Sequence, residues 1–436
     1  MKENKKKILF FGLIVFVLIA LISTMVFALI KANEKPIIPK GPGGLVEPSF
    51  NNQIIGAIHD NIDNTNYMIS PYSLEVVFSM LRDGASGTTL DELNTLVPER
   101  DIKTFSAKER INIANALFIK NGVIVKDDFK NTMTSKYKSK IILDDFVTPK
   151  AINDWSNNET YGMIPKVLEN INPRFLLGLG NAVAIDIKWQ SQFECSGTRL
   201  EEFNTIDNNK INVAMMHQTY EHGASYYSDS KATYVSIPYR KYGEDGEYAD
   251  NGTQLEFIGI LPNEDVNEYV NNFNYFDLVN NIKEMKSAGD ELNIRVSLPK
   301  FKFDYDVKDL VSILKDLGLK ETLGPKPNFE KIADYDMSIS DVIHKTHIDL
   351  SEVGTKAAAV TLVTFKDNAL PGGIPEVVEV NFNKPFVYLI KDSNSDEVLF
   401  FGVVYEPTKY TENEILCEQK EEVFVSILTL SKGYQS

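Results

Sequence analysis

Residues 343–376 read IHKTHIDLSEVGTKAAAVTLVTFKDNALPGGIPE, and the two parts of this stretch have opposite characters. In the first part, with Val342 just before it, His344, Thr346, Ile348 and Leu350 fall on one face of an extended chain, the pattern of a half-buried strand. After Gly354 the pattern dissolves. Ala357, Ala358 and Ala359 favour helix, Val360, Thr361, Val363 and Thr364 favour strand, and Pro371-Gly372-Gly373 favours neither. A firmly patterned strand thus runs into more than twenty residues committed to no regular structure.

The rest of the chain is patterned clearly enough to frame that stretch. In SPYSLEVVFSML, Ser70 caps a helix, Pro71 occupies its first turn, and Leu74, Val77, Phe78 and Leu81 share a face. DLVSILKDLG repeats the logic, with Leu310, Leu314 and Leu317 in register and Gly318 as the stop. In NAVAIDIKW, the residues Asn181, Val183, Ile185, Ile187 and Trp189 predict one continuous strand. FVYLI and VLFFGVV flank the polar turn KDSNSDE and predict a hairpin. Helices come mostly first and strands later, which indicates an α+β protein built on mainly antiparallel sheets.

The 436 residues, 43% of them hydrophobic, allow a large core. A formal charge of −16 excludes nucleic acid as a partner, because a phosphate backbone needs a basic face. Only two cysteines occur, Cys195 and Cys417, so neither a disulfide framework nor a CxxC metal site is expected. At the N-terminus, Lys5-Lys6-Lys7 precedes the uncharged run ILFFGLIVFVLIALISTMVFALI from Ile8 to Ile30. That run is long enough to span a bilayer, and the lysines would keep the start of the chain in the cytoplasm and send the remainder outside. Val26-Phe27-Ala28 also offers a signal cleavage site, so residues 1–30 read as a membrane anchor or a removed signal. Residues 31–49 read as a Pro/Gly-rich linker, residues 50–407 as one folded domain, and residues 408–436 as an extension.

Signatures of catalysis are missing: the sequence contains no GxSxG, HExxH, GxxxxGK[ST] or GxGxxG pattern. An acyltransferase of the SxxK type built on Ser70 would need lysine where Ser73 stands. His344 and His347 project from opposite faces of their strand and cannot ligate one metal from it. His344 reads as a buried, hydrogen-bonded core residue, and Trp189 as a core aromatic. Neither an enzyme nor a cofactor or metal site is expected.

Asn66, Ser70-Pro71 and Ser73 in NYMISPYS, followed by GASGTTLDEL at 84–93, resemble the second helix of the serpins, the serine protease inhibitor superfamily. The similarity continues in order through ANALF (114–118), INDWSNNETYGMI (152–164), GNAVAIDIKW (180–189), SLPKFK (297–302), IHKTHIDLSEVGTKAAAVT (343–361), FNKPF (382–386) and FFGVVYEP (400–407). This resemblance implies the serpin fold, helices packed on three mainly antiparallel β-sheets with an exposed reactive-centre loop.

By resemblance, a target serine or cysteine protease cuts that loop, and the portion before the cut inserts as a new strand into the central sheet, trapping the enzyme as a covalent acyl complex. Glu352, Gly354, Thr355, Ala357, Ala358 and Ala359 would form the loop hinge, with Gly354 supplying backbone freedom. Thr355, Ala357, Ala359, Thr361, Val363 and Phe365 would point into the sheet, leaving Lys356 outside. Ser70, Ser73, Asn181 and His344 match the family's shutter beneath the centre of the sheet. Trp189 and Lys300 match the breach at its top, with Lys300 pairing Glu352 as a surface ion pair contributing about 0–1 kcal/mol. Family spacing from Glu352 sets the scissile bond at Asn368-Ala369, with Phe365, Lys366, Leu370 and Gly372 as alternatives. The implied partner is an extracellular protease met by a monomeric inhibitor, tethered to the membrane or secreted. A non-inhibitory binding or chaperone protein on the same scaffold is the alternative.

Overall fold

The two strands of the expected hairpin, Phe386–Asp392 and Val398–Val404, are buried along their whole length, which is why their sequence runs apolar instead of alternating. They pair antiparallel and lie inside a seven-stranded antiparallel sheet. Tyr67–Ile69 lies on one side of them, and Leu255–Pro262, Ala232–Pro238, Ser225–Ser228 and Lys286–Ser287 follow on the other. This computed structural model describes residues 49–97, 99–102, 106–108, 110–289, 291–355, 375–395, 397–412 and 414. Residues 1–48, 356–374 and 415–436 therefore fall outside the described part, and with them Ala357, Ala358, Ala359 and every candidate for the scissile bond: Phe365, Lys366, Asn368, Ala369, Leu370 and Gly372.

Helix Pro71–Gly84 starts as its sequence predicts, with the Ser70 hydroxyl accepting from the Ser73 N–H at 3.1 Å. It packs against both Leu177–Ile185 and Val398–Val404, so burial extends almost all round it, even to Glu75. Glu75 is satisfied there by a two-pronged pair with Arg100, at 2.5 and 2.6 Å.

A second sheet runs Glu376–Asn381, Leu292–Pro299, Lys210–Tyr220, Arg199–Asn204, with only its first pair parallel. The third sheet is divided. One part holds Phe301–Asp306, Lys345–Leu350, Gly354–Thr355 and Ile187–Lys188; the other holds Ser106–Ala107, Ile111–Lys120 and Lys140–Asp144, with Leu177–Ile185 paired to Ile111–Lys120. The expected single strand from Asn181 to Trp189 is thus broken at Asp186, whose N–H turns to the Arg110 carbonyl at 2.7 Å. Because Leu177–Ile185 and Ile187–Lys188 follow each other directly, the two parts share a backbone, and counting them together gives the three sheets expected.

Candidate functional site

Among the described residues, no strand lies between Leu177–Ile185 and Lys345–Leu350 except at the top of the third sheet. After Leu350 the chain turns through Ser351 and Gly354, which exchange backbone hydrogen bonds at 2.9 and 3.2 Å. It comes back antiparallel, Thr355 opposite Leu350 on one side and Gly354-Thr355 opposite Lys188-Ile187 on the other. Below Thr355 lies a cleft of about 620 Å³ whose lining includes Asn181, Val183, Ile185, His344, Thr346, Ile348, Ser70 and Ser73.

The closed top is held by groups that are buried and bonded. Thr355 is buried, and its hydroxyl lies 2.8 Å from the Tyr239 hydroxyl. Trp189 is wholly buried, stacked on Tyr239 with ring centroids 4.4 Å apart, and donates from Nε1 to the Ser351 carbonyl at 2.9 Å. At Gly354, a Cβ would stand 2.1 Å from the Ile187 carbonyl oxygen. Glycine is required here because two backbones meet closely, which is a firmer reason than the hinge freedom read from the sequence.

Lys300 Nζ stands 3.1 Å from Glu352 Oε2, as the resemblance implied, but the pair is not a surface one: the two side chains are 17% and 6% exposed. Glu352 is turned inward because its neighbours hold it there. The Thr198 hydroxyl donates to Oε1 at 2.8 Å, and the Phe193 N–H donates to the Glu352 carbonyl at 3.0 Å. Each carboxylate oxygen thus has one protein partner, Thr198 on Oε1 and Lys300 on Oε2, which helps a buried ion pair to be tolerated.

Of the four expected shutter residues, three meet and one stands apart. The Ser70 backbone N–H donates to His344 Nε2 at 2.9 Å, and the Ser70 hydroxyl accepts from Ser73. An N–H donating to Nε2 requires that nitrogen to be unprotonated, and burial pushes the imidazole down to about 4, so His344 is neutral. Asn181 lies across the cleft and donates to Asn115 Oδ1 at 2.8 Å, while Asn115 donates to the Tyr137 carbonyl. The Asn181 Oδ1 atom is buried with no hydrogen-bond partner, an uncommon condition that an added donor in the cleft would relieve.

Sequence reasoning did not assign Asn115, Thr198 or Tyr239. Asn115 sits in the ANALF segment, where its even spacing from Ile111 and Ile113 was the available signal; Thr198 and Tyr239 carry none, since their partners are far away in sequence. Cys195, for which the sequence carried no reading, is disulfide-bonded. Among the described residues, no three His, Cys, Asp or Glu side chains gather as a metal site, and no helix is long and apolar enough to cross a membrane. The apolar run 8–30 lies outside those residues.

Comparison with known proteins bears on this arrangement directly. A family model described as Serpin (serine protease inhibitor) matches residues 47–407. An uncharacterized serpin-like protein of Thermococcus kodakarensis is 29% identical over 368 residues, spanning 79% of this chain and 82% of that one. The crystal structure of the thermophilic serpin tengpin in its native state matches with a TM-score of 0.68 at 29% identity, covering 84% of this chain and 96% of tengpin. Thyroxine-binding globulin in complex with thyroxine shares the fold, with a TM-score of 0.67 at 20% identity over 83% of this chain and 98% of that one.

Proposed function

The chain belongs to the serpin family, and from that premise we propose that it is an extracellular suicide inhibitor of serine or cysteine proteases, which cut its reactive loop and are trapped as the loop enters the divided sheet. The observation that carries this reading is the seeded gap. Thr355 is already paired on both sides, and the space below it is open and flanked by two strands in matching register.

Continuing that register shows what an inserted loop would meet. Each step of two residues would place Ala357 between Ile348 and Ile185, Ala359 between Thr346 and Val183, and Thr361 between His344 and Asn181. Small residues would then fill the narrow rows, and the hydroxyl of Thr361 would reach the row in which Asn181 Oδ1 lacks a donor. On the outer face Lys356 would come between Asp349 and Asp186, a favourable cross-strand charge arrangement.

The protein needs no catalytic group of its own. The protease supplies the serine or cysteine nucleophile and forms an acyl-enzyme on the loop. If insertion outruns deacylation, roughly 14 residues at about 3.3 Å each carry the enzyme some 46 Å along the sheet, far enough to disorder its active site. The trap is kinetic, and the missing strand is the store of free energy that drives it.

The Asn368-Ala369 bond, with Phe365, Lys366, Leu370 and Gly372 as alternatives, is the proposed cleavage region. Residues 8–30 are proposed to tether the inhibitor to the membrane or to direct its secretion. The disulfide at Cys195 supports an oxidising, extracytoplasmic location. Thyroxine-binding globulin, by its name, binds thyroxine on the same fold, so the experiment must separate binding from trapping. Full-length protein in mild detergent is mixed with trypsin, chymotrypsin, subtilisin, elastase and an asparagine-specific protease. A complex surviving denaturing electrophoresis supports trapping, and the mass of the released C-terminal peptide locates the scissile bond. Cleavage with neither complex nor gain in heat resistance supports a binding protein instead.

A further inference from the structure

We propose that Ser297 is a nucleophilic serine, activated by His217 and Glu201, that accepts an acyl group from small activated esters on the outer face of the second sheet. The trapping mechanism above uses none of these residues, so the two readings stand or fall separately. Register lays the site out. Ser297 lies opposite His217 in the antiparallel pairing of Leu292–Pro299 with Lys210–Tyr220, and opposite Asn381 in the parallel pairing with Glu376–Asn381. Ile294, Val296 and Leu298 are wholly buried on the inner face, whereas Arg295, two residues before Ser297, is exposed. Asn381, Ser297 and His217 therefore make one row across the outer face.

The contacts run in the order that activation of a hydroxyl needs. Ser297 Oγ lies 2.9 Å from His217 Nδ1, and His217 Nε2 lies 3.0 Å from Glu201 Oε1. A carboxylate can only accept, so it favours the tautomer with the proton on Nε2, which leaves the Nδ1 lone pair to take the proton of Ser297. Arg199 Nε donates to the same Oε1 at 2.7 Å and fixes the carboxylate. The contact between Nε2 and Oε1 is bent out of hydrogen-bond alignment, a looseness common before a substrate arrives. Burial pushes His217 below its ordinary value against the opposing pull of Glu201, and the ring is a neutral base at pH 7.

Access sets the class of acyl donor. The Glu201 side chain is 29% exposed and that of His217 16%, while Ser297 keeps only 9% of its surface, which suits a small, flat ester better than a polypeptide. Asn381 is exposed beside Ser297, and this places an amide donor within cross-strand reach of the acyl oxygen as negative charge develops on it. The step balances with the ester alone. Ser297 Oγ bonds to the acyl carbon, the bond from that carbon to the leaving oxygen breaks, and the hydroxyl proton passes through His217 Nδ1 to the departing alkoxide. An alcohol leaves, and the protein carries an O-acyl serine.

Full-length protein in mild detergent is treated with p-nitrophenyl acetate, the release of p-nitrophenol is followed, and the acetyl group is located by mass spectrometry. Ser297 should be acetylated ahead of every lysine. Acetylated lysines with Ser297 unmodified would overturn the proposal, and this map needs no variant. Ser297→Ala should abolish the rapid release and His217→Gln should slow it roughly 100-fold, each at an unchanged urea midpoint. Rapid release surviving either substitution would overturn it as well. The wild-type rate should rise with pH through an inflection below the ordinary imidazole value of 6.5 and then level off. Glu201→Gln should move that inflection lower, since the carboxylate is what pulls the imidazole up. A rate climbing steadily with hydroxide, or an inflection that Glu201→Gln leaves in place, would overturn the relay.

Discussion

The two ends of one gap in the third sheet are built in opposite ways. At the top, Gly354 and Thr355 are paired on both sides, Trp189 is stacked and bonded, and the Glu352 carboxylate is held by Thr198 and Lys300. A few residues lower, Ser70, Ser73 and His344 face Asn181 across an open cleft, and one amide oxygen goes unmatched. The difference teaches that the gap is started at one end, where its first rung is already paired on both sides, as the proposed insertion would require. A strand missing from end to end would have to nucleate before it could propagate, whereas here each further pair of residues extends an existing ladder.

Placing a charge on that first rung should do the most damage. Thr355→Arg is expected to cut the yield of denaturant-resistant complex by roughly tenfold or more while cleavage continues, because an unpaired buried cation costs several kcal/mol. Trapping at full stoichiometry would show that the top of the gap is not the way in. Next in size, Glu352→Ala leaves Lys300 partly buried without its partner and should lower the stability of the uncleaved protein by about 3 kcal/mol, read as a fall in the urea midpoint. A change under about 0.5 kcal/mol would mean the pair behaves as an exposed one.

The open end gives smaller and more conditional effects. His344 has a folded pKa of about 4 against 6.5 when free, so between those values the unfolded chain binds the extra proton. Stability must therefore fall as the pH drops, by about 2 kcal/mol between roughly pH 7.5 and 5. The comparison of wild type with His344→Asn in denaturant series isolates this slope, and parallel slopes would show that the imidazole is not held neutral. Smallest of all, Thr361→Val should leave the uncleaved protein unchanged and lower the stability of the cleaved form by about 1 kcal/mol, the worth of one hydrogen bond to Asn181. An equal loss in both forms would place Thr361 in contact before cleavage and break the register drawn here.

The same contrast separates what could be read in the sequence from what could not. Ser70 and Pro71 announce their helix, and the alternation from His344 to Leu350 announces its strand, because capping and periodicity are local. The full burial of Val398–Val404 agrees with its unbroken apolar run. Local pattern did not foresee the break at Asp186, since both segments keep strand character and only the distant Arg110 carbonyl marks the division. Nor did it foresee that Glu352 is buried, which depends on Thr198 and Phe193, more than 150 residues earlier. The bond at Cys195 was not legible for a similar reason, as two cysteines far apart in sequence carry no spacing to read.

The central hairpin has a consequence for the birth of the molecule. Phe386–Asp392 and Val398–Val404 occupy interior places in the seven-stranded sheet, yet all five of its other strands precede them in the chain. A ribosome therefore delivers the middle of that sheet after its flanks, and Leu255–Pro262 and Tyr67–Ile69 must wait with unpaired edges for neighbours not yet translated. Until those last strands emerge the seven-stranded sheet has no way to close, so its completion is postponed to the final stage of synthesis.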